Sequence, residues 1–144
     1  AARAPVRVGP PVQATNAFVL SAFDRSLGGT AVVAVDDTSW ALLGLGPAGT
    51  ALFTVRSEGG QTAVTAPDDR MAEVLGRMPL ERDLWLLYRW QCDDRCRTDH
   101  GRIDVDGDTT RWRGRDGRAT IVTTDGRRVL EDPLRHYTLT VLVR

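Results

Sequence analysis

The sequence has no lysine. All nineteen of its basic residues are arginine, and nineteen acidic residues bring the formal net charge to zero. This balance produces no overall field that attracts nucleic acid or an anionic membrane surface, so we expect no nucleic-acid partner. The use of arginine alone is typical of a GC-rich coding genome and favours a bacterial source. The arginine-rich run at positions 111–118 is predicted to be the solvated face of a strand.

Long hydrophobic runs are also missing. No apolar run approaches the roughly 20 residues that a membrane-spanning helix needs, and the chain starts without Met or an apolar leader. Pro5, Pro10 and Pro11 lie among small and polar residues, which predicts a semi-extended tether over residues 1–16. We expect this tether to follow an export or lipid-anchor site and to precede a single domain over residues 17–144.

Signatures of catalysis are absent as well. The sequence has no Gly-x-Ser-x-Gly elbow, phosphate-binding loop or nucleotide-binding glycine fingerprint. His100 and His136 are the only histidines, and neither has a recognisable catalytic partner. The group Asp104, Asp106 and Asp108 has glycine at the fourth position, whereas an EF-hand loop requires it at the sixth. We therefore expect a protein that is not an enzyme and that needs no cofactor.

The central part of the chain has apolar residues at helical spacing. They recur at i, i+3, i+4 and i+7, which predicts one buried helix face formed by Met71, Val74, Leu75 and Met78. Pro79 ends this helix because it cannot continue the backbone hydrogen bonding. The denser apolar run at positions 80–88 predicts a second helix, with a buried strand as the alternative.

Both flanks of this central part have the pattern of short strands. Before it, alternating and β-branched segments are separated by glycine-rich breaks such as Gly28-Gly29. After it, Asp-Gly pairs about ten residues apart predict hairpin turns at Asp106-Gly107, Asp116-Gly117 and Asp125-Gly126. The order strands, helices, strands predicts a mainly β (α+β) fold. In it a curved antiparallel sheet forms an incomplete barrel, and two helices cover its concave face. A small closed barrel is the main alternative.

Two blocks of sequence resemble a known family. Positions 43–55 read LGLGPAGTALFTV, and positions 71–90 read MAEVLGRMPLERDLWLLYRW. In these blocks and in element order the chain is similar to the LolA/LolB-like superfamily of bacterial periplasmic and outer-membrane lipoproteins, nearest to its uncharacterised lipoprotein branch. The receptor branch carries a protruding leucine in the turn that corresponds to Gly46-Pro47-Ala48-Gly49. Ala48 has a single methyl group there, so we expect no membrane insertion by that route.

The resemblance implies a half-barrel that holds acyl chains. The expected function is therefore a non-enzymatic binding or carrier protein of the bacterial cell envelope, whose partner is a lipid or an acylated protein. The expected location is the periplasm, as a lipoprotein at the outer membrane with an N-terminal lipid anchor outside this chain. The alternatives are an envelope interaction protein with a self-filled core and a hydrolase whose site has no recognisable signature. The expected ligand-cavity residues are Trp40, Phe53, Met71, Leu75, Leu84, Trp85, Leu87 and Tyr88.

Cys92 and Cys96 are the only cysteines. In an exported protein two such neighbours usually form a disulfide, which would stabilise this chain by about 2 kcal/mol. The alternative is a zinc site that adds His100 and either Asp93 or Asp99. Structural zinc sites usually add a second ligand pair at a distance, which is not seen, so we favour the disulfide and expect no metal.

Overall fold

One large curved sheet dominates the structure, a computed structural model that describes residues 3–143. Its helical elements are α1 (Asp69–Arg77), α2 (Leu80–Leu84) and a π-helical turn (Trp85–Arg89) that continues α2. The strands of the first half are β1 (Ala4–Pro5), β2 (Arg7–Val8), β3 (Val12–Ala22), β4 (Arg25–Val35), β5 (Ser39–Leu45), β6 (Ala51–Glu58) and β7 (Gln61–Thr65). Those of the second half are β8 (Trp90–Gln91), β9 (Arg95–Arg97), β10 (Gly101–Asp106), β11 (Thr109–Gly114), β12 (Gly117–Thr124), β13 (Arg127–Asp132) and β14 (Tyr137–Leu142).

The sheet is open. Its order is β1-β9-β10-β11-β12-β13-β14-β3-β4-β5-β6-β7, so that β1 and β7 are the two edges. All neighbours are antiparallel except β1 and β9, which are parallel, and β2 pairs with β8 in a separate small sheet. The predicted incomplete barrel is therefore confirmed, and the closed-barrel alternative is wrong.

The Asp-Gly pairs lie at the predicted hairpin turns. They occur where β10 joins β11, β11 joins β12 and β12 joins β13, but only Asp125-Gly126 supplies both loop residues, whereas the other two loops are Gly107-Asp108 and Arg115-Asp116. Asp125 and Gly126 both have positive φ, at 49° and 75°, as a tight hairpin turn whose twist matches the flanking strands requires. Local turn chemistry therefore fixes this half of the sheet.

The predicted break at Gly28-Gly29 is wrong. Both glycines lie inside β4, and the turn is formed by Phe23 and Asp24, with φ values of 52° and 61°. Gly29 serves a close approach between strands, because a Cβ there would lie 2.0 Å from the carbonyl oxygen of Leu45. Glycine inside a strand marks such an approach as readily as it marks a turn.

The predicted tether over residues 1–16 is also wrong for its described part. Ala4–Pro5 and Arg7–Val8 form short strands, and β3 already begins at Val12. Arg7 further forms an ion pair of 2.9 Å with Asp93. The prolines that predict an extended tether are equally compatible with an edge strand, because a proline at a sheet edge removes no hydrogen bond between strands. The folded unit therefore begins well before residue 17, while residues 1 and 2 lie outside the described part.

The helices form where the periodicity predicts them. Asp68 caps α1 by accepting a hydrogen bond of 2.9 Å from the backbone N–H of Arg70, and α1 ends just before Pro79. The buried-strand alternative for positions 80–88 is wrong, because they form α2 and the π-helical turn. Leu75 of α1 and Leu84 and Leu87 of the second helical stretch pack against the concave face of the sheet and form one continuous core with it.

Candidate functional site

The space between helices and sheet is filled by the protein's own side chains. A cavity of about 20 Å³ remains, which is roughly the volume that admits one water molecule. The predicted cavity residues that line it are Phe53, Leu75, Leu84, Leu87 and Tyr88. The Tyr88 hydroxyl donates a hydrogen bond of 2.8 Å to Oδ1 of Asn16, and burial raises the pKa of Tyr88 to about 12. In this conformation no acyl chain fits inside.

The other three predicted cavity residues lie in three different places. Trp40 is buried beside a surface depression that residues of β3, β4, β5 and β6 line together. Met71 lines a groove along α1, and Trp85 lines a cleft at the far end of the helices. The structure therefore brings five of the eight residues together and separates the rest.

The groove along α1, which we call the α1 groove, separates this helix from the β3–β4 hairpin. Its volume is about 540 Å³, and its floor is apolar, formed by Leu20, Ala22, Leu27, Met71 and Val74. Its rim carries charged residues of both signs. Leu20 lines both this groove and the filled cavity under the helices, so only packed side chains separate the two spaces.

A buried ion cluster fastens α2 to the sheet. Nη2 of Arg82 lies 2.7 Å from Oδ1 of Asp83 and 2.9 Å from Oδ2 of Asp132, and Arg135 adds a contact of 3.0 Å to Asp132. The Tyr137 hydroxyl donates to the other oxygen of Asp83. Asp83 and Asp132 are completely buried. Contacts within the cluster therefore replace the water molecules that these charged groups lose on burial.

Burial and hydrogen bonding shift the two carboxyl pKa values in opposite directions. Burial raises the pKa of Asp83 to about 6, although Arg82 and Tyr137 pull it down. Burial also raises the pKa of Asp132, but the combined hydrogen bonds and charges of Arg135 and Arg82 bring it below its ordinary value. This cluster is not among the features predicted from the sequence. The available signal was a charged pair, Arg82-Asp83, inside an otherwise apolar helix.

A second open site, which we call the Trp cleft, lies beside the ion cluster. It has a volume of about 690 Å³, and Trp85, Trp90 and Trp112 line it. The rings of Trp90 and Trp112 stack with centroids 5.2 Å apart, and the Trp85 ring lies 5.9 Å from that of Trp90. Asp116 accepts a hydrogen bond of 2.9 Å from Nε1 of Trp112. The sequence does not predict this cleft, because Trp112 is distant from Trp85 and Trp90 along the chain and approaches them only once the sheet has formed.

Cys92 and Cys96 form a disulfide that closes the connection between β8 and β9. The disulfide prediction is confirmed, and the bonded sulfurs do not form the alternative zinc site. Within residues 3–143 no group of three or more His, Cys, Asp and Glu side chains is arranged to hold a metal ion. This bond fixes the chain immediately after Trp90.

The arginines of the arginine-rich run are exposed, as predicted, but they lie on two strands and the turn between them rather than on one strand. Arg111 and Arg113 are exposed on β11, and Trp112 between them points inward and is buried. Arg113 lies directly opposite Arg102 on β10 and Arg118 on β12. The alternation of a half-buried strand explains this arrangement.

Comparison with known proteins assigns no family. No protein-family model matches the chain, and no curated protein is significantly similar to it in sequence. Over residues 3–143, none of the helices has the length and apolar character needed to cross a bilayer. Fold and sites therefore define a class only: a mainly β domain with an open curved sheet, a helical cover, an apolar groove along that cover and a tryptophan-lined cleft.

Proposed function

We propose that the protein is a non-enzymatic binding or carrier protein of the bacterial cell envelope that receives an acyl chain of a lipid or lipoprotein. The observation that supports this proposal best is the α1 groove, whose apolar floor shares Leu20 with the interior under the helices. An acyl chain gains about 0.8 kcal/mol for each methylene group that it buries. A groove with an apolar floor and a charged rim suits a ligand with one apolar and one polar end.

Deeper binding requires α1 to move. Leu75 is the one fully buried residue of this helix, whereas Met71 and Val74 are only partly buried. The ion cluster fastens α2 to the sheet but includes no residue of α1. An acyl chain entering from the groove would take the place of Leu75 and compensate for its exposure. We therefore assign α1 the role of a movable cover and α2 that of a fixed one.

Phe23 supports the position of the opening. It lies at the tip of the β3–β4 hairpin at one end of the α1 groove, and 64% of its surface is exposed. Its φ of 52° and that of Asp24, 61°, belong to the two-residue hairpin turn that holds the ring at this tip. An exposed aromatic ring at this place offers a first apolar contact to an arriving chain.

The disulfide supports the assignment to the cell envelope, because such bonds persist in oxidising compartments such as the periplasm. The second candidate function is an envelope interaction domain without a ligand. The observation in its favour is the filled interior, where only about 20 Å³ is empty.

Native mass spectrometry of protein purified from its own host distinguishes these functions, together with titration of a fluorescent fatty-acyl probe. A carrier retains an acyl ligand and binds the probe saturably. Val74→Gln places a polar group in the α1 groove and should weaken probe binding by about tenfold, equivalent to about 1.4 kcal/mol. Val122→Gln, on the exposed face of β12, is the matched control and should leave binding unchanged. Retention of no lipid and absence of saturable binding would favour the interaction domain.

A further inference from the structure

The Trp cleft has the size and lining of a ligand site separate from the α1 groove. Its volume of about 690 Å³ lies within the roughly 300–1,000 Å³ typical of ligand pockets. Residues from distant parts of the chain form it, including Pro5 of β1, Arg82 of α2 and Trp112 of β11. The disulfide and the ion cluster hold two of its walls in place. A preformed cleft of this kind loses little entropy when a ligand enters.

The indole rings supply flat apolar surfaces. Trp112 is almost fully buried and supports Trp90 by stacking at an interplanar angle of 17°. The Arg89 guanidinium lies 4.3 Å from the centre of the Trp85 ring and supports that ring in turn. Trp85 and Trp90 remain partly exposed in the cleft. Rigid aromatic surfaces suit the C–H faces of a ring-shaped ligand, because they lose little conformational freedom on binding.

A buried donor without an acceptor lies beside these rings. Nη1 of Arg82 finds no hydrogen-bond acceptor within residues 3–143, although only 3% of its side chain is exposed. The nearest carboxylate oxygen across the cleft wall, Oδ1 of Asp116, is 3.8 Å away, just beyond hydrogen-bond distance. Buried donors are almost always paired, so an unpaired one indicates a missing partner. Nη1 itself has no solvent-exposed surface, so neighbouring side chains must shift before a ligand reaches it; a hydroxyl group would then accept from Arg82 and donate to Asp116 at once.

Charge excludes the two other ligand classes that suit tryptophan. The cleft is lined by the carboxylates of Glu81, Asp99 and Asp116 against the cations Arg82 and Arg97, and Asp83 and Asp132 lie behind Arg82. An acidic ligand therefore finds no excess of positive charge. A quaternary ammonium ion, which aromatic cages also bind, offers no acceptor to Arg82. From this combination of stacked tryptophans, an unpaired guanidinium donor and an adjacent carboxylate, we infer that the Trp cleft binds a neutral carbohydrate.

The chain provides its own internal control for a binding experiment. Three of its four tryptophans line the cleft, whereas Trp40 lies beside a different depression. The indole N–H signals are recorded by NMR and assigned with single Trp→Phe variants. Cellotetraose, chitotetraose and maltotetraose are then titrated, each to 10 mM. At least one of them should shift the Trp85 and Trp90 signals saturably and leave that of Trp40 in place.

Asp116→Asn should weaken this binding by about tenfold, because it removes a charged acceptor while its amide oxygen still accepts from Trp112. Asp108→Asn, in an exposed turn outside the cleft, is the matched control and should bind as the unchanged protein does. The inference is overturned if none of the three sugars shifts the two signals, or if Trp40 shifts equally. It is also overturned if only choline or oligogalacturonate binds, or if the two variants bind equally well. The acyl-binding experiment has a separate readout, so either proposal can fail alone.

Discussion

Nη2 of Arg82 lies 2.9 Å from Oδ2 of Asp132, and this contact joins two buried side chains 50 positions apart in sequence. The same Arg82 atom lies 2.7 Å from Oδ1 of Asp83. One guanidinium therefore compensates two carboxylates that have lost all contact with solvent. It also attaches α2 to the end of β13, which makes this helix the fixed part of the cover.

Replacement of this arginine should destabilise the fold strongly. Arg82→Met keeps the apolar stem but leaves Asp83 and Asp132 without their common cation. A broken buried ion pair costs about 3–5 kcal/mol. Arg77→Met, which removes an exposed ion pair with Glu73, should cost less than about 0.5 kcal/mol. Urea unfolding followed by tryptophan fluorescence measures both, and equal losses would contradict the role given to the cluster.

Stability should also depend on pH through Asp83. Burial raises its pKa from 3.8 to about 6, so between these values the native state holds a proton that the unfolded chain has released. The stability contributed by this group is complete below pH 3.8 and is lost as the pH rises through about 6. The loss is on the order of 2–3 kcal/mol at about 1.4 kcal/mol per pKa unit. The lowered pKa of Asp132 has the opposite effect on stability. Its contribution is lost as the pH falls, but only below the ordinary pKa of 3.8.

Asp83→Asn removes this titration. The free energy of unfolding of the unchanged protein, minus that of the variant, should fall between pH 4.5 and pH 7. Asp125→Asn, in an exposed turn far from the ion cluster in sequence, is the matched control variant. A difference that rises with pH for Asp83→Asn would mean that the pKa of Asp83 is lowered rather than raised.

Loss of the disulfide should lower stability moderately. The bond between Cys92 and Cys96 closes a loop with a sequence separation of 4, for which the chain-entropy estimate is about 2 kcal/mol. The double variant Cys92→Ala, Cys96→Ala should lose this amount, and reducing agent should lower the melting temperature of the unchanged protein but not of the variant. A melting temperature that is the same with and without reductant would contradict the prediction.

Two glycines should respond to alanine in opposite directions. A methyl group added at Gly76, within α1, would have no neighbour within 4 Å outside the adjacent backbone of its own helix, so Gly76→Ala should stabilise the protein by about 0.5–1 kcal/mol. At Gly29 the added methyl would overlap the Leu45 carbonyl at 2.0 Å. Gly29→Ala should therefore destabilise by about 1–3 kcal/mol or more. Thermal unfolding of both variants measures these effects, and a shift of the same sign would contradict the close approach of Gly29 to the Leu45 carbonyl.

Local features of the sequence predicted local structure well. The Asp-Gly turns, the extent of α1 up to Pro79 and the disulfide each depend on residues a few positions apart. The break predicted at Gly28-Gly29 is wrong because both residues lie inside β4, where the missing side chain of Gly29 leaves room for the Leu45 carbonyl on the neighbouring strand. The turn at Phe23-Asp24 contains no glycine, so the sequence does not indicate it. The pairing of the two flanking strands imposes the positive φ of both residues.

By itself, then, the sequence determined the mainly β class, the central helices and the disulfide, because periodicity, turn chemistry and short spacing act within one segment. Only the tertiary structure decided where the first residues pair, which side chains neutralise Asp83, and that Trp112 stacks on Trp90. It also decided that the interior is filled and that open space lies in the α1 groove and the Trp cleft. These features depend on sheet register and on how several distant segments share one volume, and no single segment contains that information.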